Sequence, residues 1–131
     1  MRRTKQREQA FFLLYEQQFG GEKPEELQSL YAENVEPLGK YAVTLSNGVC
    51  DRLDTIDGII SANLKGWKLS RISKVNLAIL RLAVYEICFN EEVPDSVAIN
   101  EAVELAKQYG GQDDSAFING VLGAVVRSKD E

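Results

Sequence analysis

Apolar residues recur every three or four positions along nearly the whole chain, which is the period of an α-helix. Near the start, this spacing predicts a helix over residues 4–18, which the pair Gly20-Gly21 would end. Pro24 suits the first position of a second, short helix, because a proline there loses no helical hydrogen bond. The two glutamates that follow it are favoured by the helix dipole.

The longest apolar pattern runs from Pro37 to Leu64 and predicts a helix of about seven turns. Asn47-Gly48, which lies inside it, is a dipeptide typical of β-hairpin turns. The flanking residues do not alternate between apolar and polar side chains, so we interpret Gly48 as a close-packing or kink position within a helix. The same reasoning applies to Asn119-Gly120. Because no segment predicts a convincing strand, the expected fold class is all-α.

The segment Lys65–Lys74 is a connector that carries four bases and the single tryptophan. Ser73 or a neighbour is predicted to begin the next helix. The interior of that helix carries only Arg81 and Glu86 as charged residues. A helix that is apolar almost all round is typical of the centre of a bundle, so we expect this helix to lie in the core.

Two further amphipathic helices complete the pattern. Asp95 or Ser96 is expected to cap the first of them, and Asp113 or Asp114 is expected to cap the last. A chain of 131 residues is long enough to bury a core without disulfides or metals. We therefore expect one domain, residues 1–131, folded as a compact bundle of six or seven helices.

The composition is ordinary for a globular protein. Hydrophobic residues make up 44% and charged residues 27% of the chain. No apolar run approaches the ~20 residues that span a bilayer, and the charged start lacks the apolar segment of a signal peptide. A cytoplasmic protein with no membrane contact is the expectation.

The residue types also argue against several kinds of site. The chain has no histidine, which removes the commonest metal ligand and the commonest general base. Cys50 and Cys88 are far apart, and their apolar settings predict two buried free thiols. The carboxylates are scattered over helix faces without pairing as an acid and a base. We therefore expect no bound metal, no cofactor and no enzymatic activity.

The charge is distributed unevenly. Residues 1–7 form a basic N-terminal arm of charge +4, whose bases are Arg2, Arg3, Lys5 and Arg7. Residues 8–131 hold the remaining 11 of the 15 bases and all 20 acids, a net charge of −9. Such an arm either binds an anionic partner or is a solvated terminus, and charge alone leaves both interpretations open. We expect these bases to precede the apolar face of the first helix.

Three aromatic residues are candidates for stacking on unpaired bases. Tyr15 follows the basic arm on the first helix, and bases combined with an aromatic are typical of a groove for single-stranded RNA. Phe117 lies in the first turn of the last helix beside Asp113, whose carboxylate would accept hydrogen bonds from a base edge. Trp67 lies among the bases of the connector. Each ring is also explained as a core aromatic, and the residues alone leave that choice open.

Three C-terminal blocks resemble the signature of the NusB family of bacterial transcription antitermination factors. They are ILRLAVYEI (Ile79–Ile87), VAINEAVELAKQYG (Val97–Gly110) and FINGVL (Phe117–Leu122). The arginine-bearing start, which ends in LLYEQQ (Leu13–Gln18), fits as well, so the resemblance covers the whole chain. It implies a fold of two small perpendicular helical bundles.

The resemblance also implies a function. Members of this family bind the boxA element of ribosomal-RNA leader transcripts together with NusE, a small-subunit ribosomal protein. The pair joins RNA polymerase and helps it pass terminators. We therefore expect boxA-type single-stranded RNA, NusE and the RNA polymerase antitermination complex as partners, while a homodimer stays open. The RNA-binding residues that the resemblance implies are Arg2, Arg3, Lys5, Arg7, Tyr15, Asp113 and Phe117.

The sequence departs from the family pattern at three positions. Many members have a lysine directly before Phe117, where Ala116 stands here. An acid often follows the NGVL block, where Gly123 stands here, and one arginine of the N-terminal cluster is Thr4. The changes at Ala116 and Thr4 predict fewer phosphate contacts and a modest affinity for RNA alone.

Two alternatives belong to other functional classes. A NusB-like domain also forms the N-terminal part of certain ribosomal-RNA cytosine methyltransferases. This sequence has no Gly-rich cofactor loop and no catalytic cysteine motif, so we do not expect methyl transfer. The other alternative is a protein-interaction module that makes no RNA contact and whose basic arm is only solvated.

Overall fold

The computed structural model describes residues 1–130 of the chain. Over these residues the protein has seven α-helices, one 3₁₀ turn at Leu69–Arg71 and no strand, which confirms the all-α prediction. The helices are α1 (Arg3–Glu16), α2 (Pro24–Asn34), α3 (Lys40–Asp51), α4 (Leu53–Ala62), α5 (Lys74–Phe89), α6 (Asp95–Tyr109) and α7 (Asp114–Lys129).

The long apolar pattern that predicted one helix forms two helices. Arg52, with φ −123° and ψ 25°, separates α3 from α4. A single non-helical residue leaves the apolar spacing intact, so the periodicity gave no sign of the break. Gly48 is a close-packing position inside α3, as predicted, because the Tyr85 ring occupies the space that a Cβ atom there would need.

The central position of α5 follows from its apolar sequence. It packs against α1, α3, α4, α6 and α7. Leu80 is fully buried and Leu82 is 2% exposed, as the lack of a polar face predicts. The helices α1, α2 and α3 also pack on one another, as do α6 and α7, so α5 joins two groups of helices. The perpendicular arrangement of two bundles stays a prediction.

The predicted helix starts are partly correct. Ser73 caps α5, since its Oγ accepts a hydrogen bond from the Asn76 backbone N–H at 3.1 Å. Pro94 occupies the N-cap of α6, so the expectation of Asp95 or Ser96 there is wrong, by one or two positions. Asp95 is instead bound by the Lys129 ammonium at 2.8 Å.

The two cysteines are free, as predicted, but they are half-buried rather than fully buried. Burial still raises the pKa of the Cys50 and Cys88 thiols, because the thiolate is less well solvated there. Within residues 1–130, no helix is both long and apolar enough to cross a membrane.

Candidate RNA-binding surface

The four N-terminal bases belong to the helix rather than to a separate arm. Helix α1 begins at Arg3, so only Met1 and Arg2 precede it. Arg2 and Arg3 are exposed, and neither forms an ion pair with another residue in the described range 1–130. The Arg3 guanidinium carbon lies 3.6 Å from the centroid of the Tyr41 ring, a cation–π contact that holds this charge at the surface.

Arg7 is buried, and this corrects the expectation that all four bases precede the apolar face. Its residue exposure is 5%. Its Nε lies 3.0 Å from both carboxylate oxygens of Glu86 on α5, and its Nη1 lies 3.4 Å from Glu101 on α6. The position of Arg7, one turn into α1, directs it between these helices. Arg7 therefore joins three helices and is not accessible to a phosphate in this conformation.

Lys5 is partly exposed, but its charge is already balanced. Its ammonium lies 3.0 Å from Glu8 and 3.3 Å from Glu36, and hydrogen bonds to these carboxylates raise the pKa of Lys5. The hydroxyls of Tyr109 and Tyr31 donate to the same two glutamates at 2.7 Å and 2.6 Å. A phosphate contact by Lys5 therefore requires an exchange of partners at the surface.

Tyr15 lies in a row of aromatic rings that runs along α1 and into the turn after it. Its ring centroid is 5.0 Å from that of Phe19, whose own ring faces the Lys74 ammonium at 5.2 Å. Tyr15 is half-buried and lines an apolar groove of about 690 Å³ between α1 and α2. Part of the ring packs on the core and part is accessible, so neither of the two sequence interpretations is complete.

Phe117 is also half-buried and packs against the core from the first turn of α7. Its ring meets the Trp67 ring edge to face, with centroids 6.0 Å apart and an interplanar angle of 63°. Asp113, at the N-cap of α7, is exposed, and its side chain makes no capping hydrogen bond. The Asp114 carboxylate instead accepts from the Gly111 backbone N–H at 2.6 Å.

The predicted site residues lie on or beside α1 and at the start of α7, two helices that do not pack against each other in the described structure. Arg2 and Arg3 lie at the N-terminal end of α1, whereas Tyr15 lies near the C-terminal end of α1. At 1.5 Å per residue, Arg3 and Tyr15 are about 18 Å apart along the helix axis. A ligand that touches both ends of α1 must therefore span about 18 Å.

Sequence reasoning missed the acids that engage two of the four bases. Lys5 and Glu8 have the i, i+3 spacing of a helical ion pair, which was a readable signal. Glu36, Glu86 and Glu101 come from other helices or loops, and only the tertiary structure places them. Within residues 1–130, no cluster of three or more metal-ligating side chains of the His, Cys, Asp or Glu type occurs.

Comparison with known proteins assigns the chain to a family. Residues 4–127 match the model of the NusB family. The chain belongs to the NusB family. This assignment confirms the resemblance seen in the three C-terminal blocks. The match includes Lys5, Arg7 and the Phe117 region, whereas Arg2 and Arg3 precede it.

Similar sequences include transcription antitermination proteins called NusB. NusB of Acetivibrio thermocellus is 57% identical over 90 residues, which span 69% of this chain and 62% of that protein. NusB of Clostridium novyi is 41% identical over 133 residues, which span 98% of this chain and 100% of that protein.

Solved NusB structures share the fold. T. maritima NusB superposes with a TM-score of 0.86 at 33% identity and covers 97% of this chain and 92% of its own. A structure described as antitermination factors NusB and NusE in complex with double-stranded RNA matches with a TM-score of 0.86 at 30% identity. That match covers 98% of this chain and 99% of the other.

Proposed function

We propose that this NusB family member is an RNA-binding transcription antitermination factor that acts without catalysis. Together with NusE it binds boxA-type RNA of ribosomal-RNA leader transcripts and modifies elongation by RNA polymerase. Family membership supports this proposal, and the similar structure of NusB and NusE with double-stranded RNA supports RNA and NusE as partners.

The observation that carries the proposal is the distribution of exposed charge and aromatic surface. Arg2 and Arg3 present positive charge on a chain whose residues 8–131 carry a net charge of −9. The partly accessible ring of Tyr15 at the other end of α1, and that of Phe117 at the start of α7, offer stacking surfaces. Base–aromatic stacking and phosphate neutralisation are the two interactions on which single-strand binding depends.

The geometry suggests separate tasks for the site residues. Arg2, Arg3 and, after partner exchange, Lys5 neutralise phosphates, while Tyr15, Phe117 and Asp113 contact bases. Phosphate contacts position a nucleic acid and base contacts specify its sequence. Arg7 has a positioning role, because its ion pairs fix the N-terminal turn of α1 that presents Arg2 and Arg3.

The departures from the family pattern explain why a protein partner is needed. The Thr4 hydroxyl donates to Glu101 at 2.7 Å, so this position supports the Arg7 network rather than a phosphate. Ala116 is exposed and uncharged. With fewer cationic contacts available, we propose that NusE supplies the additional binding surface.

The experiment is a fluorescence-anisotropy titration of labelled boxA RNA with and without NusE, and a base-scrambled RNA of equal length is the control. We expect tight, sequence-dependent binding when NusE is present and weaker binding without it. Binding of NusE with no effect on RNA affinity would instead favour the protein-interaction module. Failure to bind either partner would contradict the proposal.

The polymerase part of the proposal needs a separate measurement. Transcription of a boxA-containing template through a terminator should give more read-through when the protein and NusE are added with the other elongation factors. The matched control is the same template with the boxA segment scrambled. Equal read-through on both templates would overturn the antitermination role while leaving RNA binding intact.

A further inference from the structure

A small cleft lies where the connector after α4 meets α7. Trp67 and Phe117 line it, and its volume is about 370 Å³, within the ~300–1,000 Å³ range typical of ligand pockets. One wall is a face of α7 made of the small residues Ala116, Gly120 and Ala124. A Cβ atom on Gly120 would meet no atom within 4 Å, so the space beside this helix face is open.

The charged residues of the cleft have one sign. Lys65 and Arg127 line it, and both are exposed. Among the residues that the structure describes, neither forms an ion pair and no carboxylate lines the cleft. The cleft is therefore locally positive on a chain of net charge −5, which favours an anionic ligand.

Trp67 does not serve as a cap of the core. It is 57% exposed, although an indole that sealed the core would hide most of its surface. Its contact with Phe117 is edge to face, which leaves ring surface of Trp67 accessible. A flat aromatic ligand would gain stacking energy there, and a nucleobase has such a face whatever its identity.

We propose that this cleft is a subsite for one unpaired nucleotide of the bound RNA. The base stacks on the indole of Trp67 beside the Phe117 ring, and a flanking phosphate lies near Lys65 and Arg127. The inference rests on the proposed RNA-binding function and extends it to three residues, Trp67, Lys65 and Arg127. The cleft's positive charge and exposed ring match a nucleotide, which combines a flat base with an anionic phosphate.

The chain itself supplies the probe for this subsite. Trp67 is the only tryptophan, so its fluorescence reports on the cleft alone. Titration with unlabelled boxA RNA should quench this fluorescence with the same midpoint as the anisotropy change. Trp67→Phe, which removes the signal, is the fluorescence blank.

Substitutions of the cleft residues test how much each contributes to RNA binding. Stacking of one base contributes about 1–3 kcal/mol, so Trp67→Ala should weaken RNA binding by about 5- to 150-fold. Replacing Lys65 and Arg127 by Gln should make the slope of log affinity against log salt shallower by about 0.7, the value for the one flanking phosphate. Both side chains are exposed, so this variant tests the cleft even if Trp67→Ala does not fold.

The control is Phe89→Ala, which removes another accessible aromatic ring, 37% exposed, from the C-terminal end of α5, and this ring does not line the cleft. It should leave RNA affinity unchanged. Full affinity of Trp67→Ala together with unquenched wild-type fluorescence would overturn the subsite and leave RNA binding standing. No binding of RNA by the wild type, even with NusE, would overturn both proposals.

Discussion

The Nε–H of Arg7 on α1 donates a bifurcated hydrogen bond to both carboxylate oxygens of Glu86 on α5, although 79 residues separate the two residues in the chain. Glu86 is 1% exposed and also accepts a hydrogen bond from the Tyr41 hydroxyl of α3. The carboxylate thus links the N-terminal turns of α1 to the end of the central helix. A buried charge with several partners stabilises the fold only while every partner is present.

Removal of Arg7 should therefore lower stability. Arg7→Ala leaves Glu86 buried without its cation, and we expect a loss of about 3–5 kcal/mol in the free energy of unfolding. Urea unfolding of the variant provides the measurement. Arg2→Ala, which removes an exposed arginine from the same helix end, is the control and should change stability by less than about 0.5 kcal/mol. Equal stabilities of the two variants would mean that the Arg7 pair contributes nothing.

The burial of Arg7 could be predicted from the sequence only in part. Glu86 is one of two charged residues in the otherwise mostly apolar interior of α5, and a buried charge requires a partner, so the sequence indicated the need for a cation. Which cation satisfies it depends on how α1 packs against α5. The four bases at the start of the chain look equivalent in sequence, so the sequence did not show which of them pairs with Glu86.

The helices themselves were predictable because their apolar spacing is regular and the glycine and proline stops are clear. The break at Arg52 was not, since it does not shift the spacing. The pairing of Trp67 with Phe117 was equally hidden. Each ring had been interpreted by itself, and about fifty residues of chain lie between them.

Substitution of a buried leucine tests the prediction that α5 lies at the centre of the bundle. Leu80 is fully buried, so Leu80→Ala should cost about 2–5 kcal/mol through lost burial and a cavity. Leu30 on α2 is 51% exposed, and Leu30→Ala is the matched control with an expected cost well below that. Comparison of the two urea midpoints checks the prediction. A cost near zero for Leu80→Ala would show that α5 exposes this face.

Alkaline pH should destabilise the protein in a defined window. Burial, aided by a neighbouring glutamate in each case, raises the pKa of Tyr31, Tyr41 and Tyr109 from 10.0 to about 12. The folded state holds these protons more tightly than the unfolded state does. Stability is thus fully present below about pH 10 and declines as pH rises from about 10 to 12.

The absorbance of tyrosinate in native and urea-unfolded protein, followed through a pH titration, tests this expectation. Tyr31, Tyr41 and Tyr109 should ionise at higher pH in the native protein than in the unfolded protein. Tyr41→Phe removes one of them, so its stability should fall less steeply across the same window. Identical titration curves for the native and unfolded protein would contradict the prediction.

Phe117 and Ile118 are neighbours on α7 with different exposure, and this separates binding from stability. Phe117 is half-buried, whereas Ile118 is fully buried. Phe117→Ala should weaken RNA binding by about 1–3 kcal/mol, as expected for the loss of one stacking ring. Ile118→Ala should cost about 2–5 kcal/mol of stability, with unchanged affinity of the folded fraction. A Phe117 variant that loses stability but keeps full affinity would assign this ring to the core alone.

The N-terminal charges set the salt dependence of RNA binding. For single strands, log affinity falls with log salt by about 0.7 per neutralised phosphate. Four contacts would give a slope near −2.8 from these bases, but burial removes Arg7 and ion pairs occupy Lys5. Replacing Arg2 and Arg3 by Ala should therefore make the slope shallower by only ~1.4, which is about a sevenfold effect between 50 and 200 mM salt.

The control is a charge-matched variant in which Lys23 and Lys107, both exposed, are replaced by Ala. It changes the net charge equally, so any general electrostatic effect appears in both variants. The specific contribution of Arg2 and Arg3 is the difference between the two salt slopes, measured with boxA RNA and NusE. Superimposable slopes would mean that the N-terminal arginines are only solvated, and that the positive charge that meets the RNA lies elsewhere on the chain.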